Sequence, residues 1–294
     1  MTHQEKIEIL PVTLLDENRS TVEHLKRLAR SLGLDFGWHY LLDLTWIIRE
    51  LGSPKAMRIM DAGAGTGVIQ WYLAEQGAEV LSVDRGSRAA LPLRFRKRFN
   101  TSGLRPQDLL PASQAFRNSL TGNGNALSKI TAQRRDLLSL VQSQRAAGRV
   151  TIYNQDLKTL TDIADNSLDA VVAVSSLEHN SPQDLPIVVD ELLRVLKPGG
   201  LLLATLGAAP QQDWFHEPSK GWCYTDTSLR IYFRLAADSP SNYSSFDELF
   251  IALRDCAELR DNLADFYSRS GENGMPWGKW DPQYQPVGVC KVKS

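Results

Sequence analysis

Residues 58–67 read Arg58-Ile59-Met60-Asp61-Ala62-Gly63-Ala64-Gly65-Thr66-Gly67, a short strand running into three closely spaced glycines. A second strand, Glu79-Val80-Leu81-Ser82-Val83, starts twelve residues beyond Gly67 and ends at Asp84. Glycine at such a turn lets the backbone approach a ligand closely and adopt angles barred to other residues. The intervening helix, from about Val68 to Gln76, points its free amide groups back at the turn. An acid at the tip of the neighbouring strand then accepts hydrogen bonds from a ribose diol. Strand, glycine turn, helix and strand-end acid together describe a nucleotide-cofactor site.

The rest of the chain extends this unit. Residues 19–51 read as helical, because Val22, Leu25, Leu28, Ala29 and Leu32 recur at three- and four-residue steps. Gly33 and Gly37 interrupt, the apolar pattern resumes at Tyr40, and Gly52-Ser53-Pro54 stops it. Further strands are expected at Arg149–Asn154, Ser167–Val174, Leu201–Leu206 and Val287–Val292, with a helix over Pro182–Leu196. The run Ser167–Val174 is mostly apolar, as a strand buried on both faces must be. The alternation predicts an α/β fold, a doubly wound Rossmann-like and mostly parallel sheet. We divide the chain into an N-terminal helical segment (1–55) and a main domain (56–294). Within the latter we place a basic insertion at about 87–148 and a helical C-terminal part from about 209. The insertion contains a helical pattern over 126–147, with Leu127, Ile130, Leu137, Leu138 and Val141 on one side. Residues 225–269 read as mostly helical, with a break near Asp238-Ser239-Pro240.

A net charge of −1 conceals an asymmetry. Residues 85–149 carry thirteen Lys/Arg against Asp108 and Asp136, a net of +11, while the flanking segments are acidic at −4 and −8. Arg94, Arg96, Lys97 and Arg98, interleaved with Phe95 and Phe99, are candidates to contact nucleic-acid phosphates or an anionic membrane surface. Equally, they balance the acidic C-terminal part or form a solvated face. No apolar run approaches the roughly 20 residues of a membrane span, and Met1-Thr2-His3-Gln4-Glu5-Lys6 lacks the apolar stretch of a secretory signal. Cys223, Cys256 and Cys290 are far apart and odd in number, which indicates neither a disulfide framework nor a zinc motif. A reducing, cytoplasmic setting is expected.

The nicotinamide fingerprint G-x-G-x-x-G would need its third glycine at position 68, which is Val68. The Gly-Lys-Ser/Thr of a P-loop is absent. The pattern Asp61-x-Gly63-x-Gly65-x-Gly67 instead resembles the class I S-adenosylmethionine-dependent methyltransferases. Asp84 ending the second strand, Asp156 after the third, Ser176-Leu177-Glu178-His179 after the fourth and Leu196-Lys197-Pro198-Gly199-Gly200 before the fifth resemble that family in the same order. The match covers about residues 56–206 apart from the insertion, which departs from the usual short connection.

The resemblance implies S-adenosylmethionine as the cofactor. Asp61, Gly63, Ala64, Gly65, Thr66 and Gly67 would shape the loop beside its methionine part. Asp84, followed by Arg85, would accept the ribose hydroxyls, Asp156 and Leu157 would face the adenine, and Ser175 would lie at the methyl-transfer centre. Without the family, the glycines read as a tight turn and the two aspartates as caps of the adjoining turn and helix.

Methyl transfer from a sulfonium is an in-line displacement, so positioning supplies much of the acceleration. An oxygen acceptor usually also needs a base. His179 and His216 both follow the C-terminal ends of core strands, where such sheets bind ligands, although for His179 packing or capping the next helix is the plain alternative. Trp214, Trp222 and Tyr224 are candidates to line an acceptor pocket or to pack in the core. Trp38-His39-Tyr40 lies where many relatives have a helix closing over the cofactor. Some relatives bind a divalent ion through Glu-x-x-Glu-His, but Ser175 stands at the first Glu position, so no metal is expected. The absence of Asn/Asp-Pro-Pro-Tyr/Phe after the fourth strand and of a Pro-Cys nucleophile argues against a nucleobase acceptor. The reading is methyl transfer to oxygen or nitrogen of a small molecule. An RNA or anionic-glycolipid acceptor using the basic insertion, and a non-catalytic cofactor-binding scaffold, stand as alternatives.

Overall fold

The apolar runs pair as neighbours in one sheet. A computed structural model describes residues 3–121, 136, 145–263, 275 and 279–294. Its strands are β1 (Lys6–Ile9), β2 (Arg58–Ala62), β3 (Glu79–Asp84), β4 (Ser102–Gly103), β5 (Arg149–Asn154), β6 (Leu168–Val174), β7 (Leu196–Ala208), β8 (Trp214–His216), β9 (Gly221–Tyr224) and β10 (Gln285–Val292). They run in the order β4–β5–β3–β2–β6–β7–β10–β1, with β9 pairing the end of β7 and β8 pairing β9. The five central strands are parallel, in the order third, second, first, fourth, fifth along the chain. That is the doubly wound arrangement, whose order reverses beside β2 and opens a ligand crevice at the strands' C-terminal ends. β10 lies antiparallel beside β7, and β1 antiparallel beside β10.

Both faces of this sheet are covered, which explains the apolar runs Ala170–Val174 of β6 and Leu201–Ala204 of β7. Successive residues alternate faces, so Ala170 and Val172 join one buried cluster while Val171 and Ala173 join the other. The first cluster lies under α1 (Thr13–Glu17), α2 (Arg19–Leu32), α3 (Tyr40–Leu51) and α4 (Ile69–Glu75). The five apolar positions read from the spacing of α2 are all buried, and Gly33 ends that helix at φ +64°, in the left-handed region.

The basic segment adds α5 (Leu93–Arg96), β4 and α6 (Ala112–Thr121). Phe95 and Phe99 are fully buried and their rings lie 4.7 and 4.9 Å from that of Trp71. The helical pattern over 126–147 falls largely outside the described residues. On the opposite face α7 (Leu185–Val195) and α8 (Asp226–Tyr232) pack on the second cluster, while α9 (Phe246–Arg254) and α10 (Ala257–Asp261) bury Leu253 and Leu259 in the first.

Three local expectations change. Residues 3–55 are not helical throughout, because Lys6–Ile9 adds an edge strand that buries Ile7 and Ile9. The fifth core strand is longer than read, Leu196–Ala208, with Lys197-Pro198-Gly199-Gly200 carried within it. The part beyond residue 209 begins with the β8–β9 hairpin and turns helical only at Asp226.

Candidate functional site

The C-terminal ends of the parallel strands open into a cavity of about 590 Å³. The glycine turn supplies Asp61, Gly63, Ala64, Gly65, Thr66 and Gly67, and the end of β3 supplies Asp84 and Arg85. Asp156 and Leu157 follow β5, while Ser175 and His179 follow β6. Asp35, Tyr40 and Leu44 close the wall from the N-terminal segment. Of the residues expected to bind the cofactor or act as base, all but His216 line it.

Glycine is required at two points of the turn. Gly63 has φ +75°, and a Cβ there would come within 2.5 Å of Ser176 Cβ. Gly65 has φ +48°, where a side chain is strained even though a Cβ would meet nothing within 4 Å. The turn is fastened from several sides. The amides of Gly63 and Ala64 both donate to the Val83 carbonyl at 2.9 Å, and Ser176 Oγ donates to the Ala62 carbonyl at 2.7 Å. Buried Gln70 donates to the Ala64 and Gly67 carbonyls at 3.3 and 3.1 Å, and its own oxygen accepts from Ser82 Oγ at 2.6 Å.

Asp84 Oδ2 accepts from the Gly65 amide at 2.9 Å and Oδ1 from the Gly86 amide at 2.6 Å. An ionised carboxylate offers about four acceptor positions, so capacity remains for a diol. Asp61 is fully buried in the cavity wall and its Oδ2 has no partner among the described residues. Burial, reinforced by the nearby Asp84 and opposed by Arg88, pushes its carboxyl up to about 7. An unpartnered acid of this kind fits a cationic cofactor that brings its own donors. Asp156 Oδ1 accepts from the Lys158 amide at 2.9 Å, forming a local turn at the cavity edge.

Across the cavity, Ser175 holds φ +45°, a conformation rare outside glycine and asparagine. Its amide donates to the Thr205 carbonyl at 3.1 Å and its hydroxyl to Glu178 Oε1 at 2.5 Å. Glu178 is buried, which pushes its carboxyl up, and its Oε2 is unpartnered among the described residues. His179 Nδ1 lies 2.9 Å from the Lys220 carbonyl. A carbonyl only accepts, so Nδ1 is the donor here, which in the neutral tautomer leaves the lone pair on Nε2.

His216 is placed differently. It is buried between Trp214 and Tyr284, with Nδ1 2.7 Å from Ser219 Oγ, and burial holds its imidazole below the usual histidine range. Trp214, Trp222 and Tyr224 also stand outside the cavity lining. Of Trp38-His39-Tyr40 only Tyr40 lines the cavity, while His39 pairs with buried Asp43 at 2.6 Å.

The arginines of the basic segment have internal partners. Arg94 donates to the Leu32 carbonyl at 2.7 Å and pairs with Asp136 at 3.1 Å. Arg96 donates to the carbonyls of Leu91 at 2.6 Å and Ala89 at 3.1 Å. Arg98 pairs with Glu75 at 2.5 Å. Sequence reasoning missed Gln70, Glu178 as a buried partner of Ser175, and Arg88, whose guanidinium lies among the carbonyls around the turn.

Residues 121–204 match the family model described as a methyltransferase domain. Among solved structures, the Burkholderia thailandensis 1,6-didemethyltoxoflavin-N1-methyltransferase, with 1,6-didemethyltoxoflavin and S-adenosylhomocysteine bound, is similar at 13% identity and a TM-score of 0.46. That match covers 96% of this chain and 88% of the other. Haemonchus contortus phosphoethanolamine N-methyltransferase 2 is similar at 15% identity and a TM-score of 0.49, over 95% of this chain and 60% of the other. An Aquifex aeolicus S-adenosylmethionine-dependent methyltransferase is similar at 15% identity and a TM-score of 0.40, over 72% and 86%. No curated protein matches the chain significantly.

Proposed function

We propose that this chain is a class I S-adenosylmethionine-dependent methyltransferase and that it transfers the methyl group to an oxygen or nitrogen of a small-molecule acceptor. The observation that carries the reading is the single cavity joining the glycine turn, Asp84 and Asp156 to Ser175, His179 and Tyr40. Its volume of about 590 Å³ lies in the range of small-molecule sites. The internal pairing of Arg94, Arg96 and Arg98 favours a small acceptor over an RNA or anionic glycolipid.

When bound, the cofactor supplies an electrophilic methyl on a sulfonium. Asp84 accepts the ribose hydroxyls while its two amide bonds keep it aimed, and Asp156 with Leu157 borders the adenine. Asp61, Gly63, Ala64, Gly65, Thr66 and Gly67 cradle the methionine part, with Arg85 beside Asp84. His179 Nε2 would take the acceptor's proton as the acceptor–methyl bond forms and the sulfur–methyl bond breaks, the thioether S-adenosylhomocysteine being the leaving group. His216, outside the cavity, has no part in this step. Ser175 holds the edge of the transfer centre. No metal enters the reading, since Ser175 replaces a carboxylate in the divalent-ion pattern, and EDTA is expected to leave turnover unchanged.

The test is mass spectrometry of a cell extract incubated with the protein and deuteromethyl-labelled cofactor. A labelled small metabolite is expected. Label appearing only in RNA or lipid, together with salt-dependent RNA or vesicle binding, would replace this reading with the macromolecular one. Cofactor binding by calorimetry with no labelled product would leave a binding scaffold.

A further inference from the structure

Arg88 is 8% exposed and does not line the cavity. One terminal nitrogen of its guanidinium donates to the Gly65 carbonyl at 3.4 Å and to the Ser82 hydroxyl. The other donates to the carbonyls of Ser82 at 2.8 Å and Tyr153 at 3.1 Å. Its backbone amide donates to Asn154 Oδ1 at 3.0 Å. These partners belong to the glycine turn, β3 and β5, the elements that present Gly65, Asp84 and Asp156 to the cavity. One side chain therefore fixes the spacing of all three.

It also brings a charge, because a guanidinium stays protonated even when buried. The carboxylates that feel it are Asp84, Asp61 and Asp108. Asp108 has its own cation, Arg105, at 3.1 Å. The charge of Arg88 is left to act on Asp61 and Asp84, the two acids of the cofactor turn. Donor and product differ by one unit, since the sulfonium of S-adenosylmethionine becomes the neutral thioether of S-adenosylhomocysteine. With that charge removed, Asp84 and an Asp61 that ionises as the sulfonium binds would favour the cation more strongly.

We propose that Arg88 is the positioning residue of the cofactor turn and sets how far the site distinguishes S-adenosylmethionine from S-adenosylhomocysteine. The inference rests on the reading of this cavity as the cofactor site. With Arg88 in place the pull of Asp61 and Asp84 on the sulfonium is partly cancelled, and donor and product are held by shape and hydrogen bonds common to both.

Calorimetric titration of both ligands into the full chain and three variants tests it. Arg88→Gln, which keeps a donor and loses the charge, is expected to weaken S-adenosylhomocysteine binding. It should also raise the ratio of the two dissociation constants in favour of the donor about tenfold, the scale of one charge acting through a partly screened interior. Arg88→Lys keeps the charge and should lower both affinities with the ratio unchanged. Gln70→Ala removes carbonyl contacts of the same turn with no change of charge, and should likewise leave the ratio alone. An unchanged ratio in Arg88→Gln, or an equal rise in Gln70→Ala, overturns the proposal. Should Arg88→Gln not fold, Arg88→Lys decides, and a ratio shifted from that of the unaltered chain overturns it. If the unaltered chain binds neither ligand, the cofactor-site reading itself fails, an outcome distinct from binding with an unresponsive ratio.

Discussion

The hydroxyl of Ser175 donates to Glu178 Oε1 at 2.5 Å, linking a residue of the cavity wall to a buried carboxyl whose second oxygen has no described partner. Such a pair, held by a left-handed backbone at Ser175, is strained and polar where a purely structural turn needs neither. Glu178→Gln keeps the shape and removes the acid. Glu178 does not line the cavity and acts through Ser175, so deuteromethyl incorporation is expected to fall about tenfold, the scale of one hydrogen bond to a charged group. Affinity for S-adenosylmethionine should stay within about twofold. Wild-type turnover in this variant would remove Glu178 from the reaction.

Asp61 gives the site a pH dependence with a definite sign. Its folded-state value of about 7 lies above the ordinary 3.8, so the cost of ionising it is absent below pH 3.8 and fully present above about 7. Asp61→Asn should therefore stabilise the cofactor-free protein at pH 8, by on the order of a few kcal/mol, and have little effect near pH 4. A cationic ligand favours the ionised form. Affinity for S-adenosylmethionine should rise with pH up to about 7 and then flatten, with proton release on binding below that point. Urea unfolding at the two pH values, and calorimetry in buffers of different ionisation enthalpy, read these two effects. No proton release at pH 6 would contradict the second.

The two histidines separate by what they touch. His179→Asn is expected to slow turnover ~10²- to 10⁴-fold without changing cofactor affinity. His216→Ala leaves Ser219 without its partner and should cost about 1–3 kcal/mol of stability while sparing the chemistry. Parallel thermal melts and rate measurements decide, and the reverse pattern would move the base to His216.

Phe95 gives a test of the basic segment. Its ring stacks on Trp71 with no exposed surface to speak of, so Phe95→Ala should destabilise the fold by about 3–5 kcal/mol. A variant that unfolds like the parent in urea would show that this stretch packs loosely.

The features legible in the sequence are those that depend on near neighbours in the chain. The glycine turn and Asp84 lie within one strand–helix–strand unit, and the inward face of α2 follows from its own spacing. Arg88 was invisible because its carbonyl partners lie 23, 6 and 65 residues away. Phe95 and Phe99 sit among arginines whose charges suggest a surface. The arginines instead reach carbonyls and carboxylates from Leu32 to Leu110, and their stems let the rings turn inward. β1 is four residues long, too short for alternation to announce it. His216 follows a strand as His179 does, and only the path of the β8–β9 hairpin carries it away from the cavity.

The pairing of β1 with β10 joins the first described strand to the last. During synthesis Lys6–Ile9 leaves the ribosome early, yet its neighbour in the sheet is made only after some 275 further residues. Until then Ile7 and Ile9 have no ladder to complete, and the edge of β7 that β10 will cover stays open to stray pairing. A nascent chain of this protein can assemble its glycine turn well before it can close its sheet, and the interval before β10 emerges leaves the edges of β1 and β7 open to aggregation.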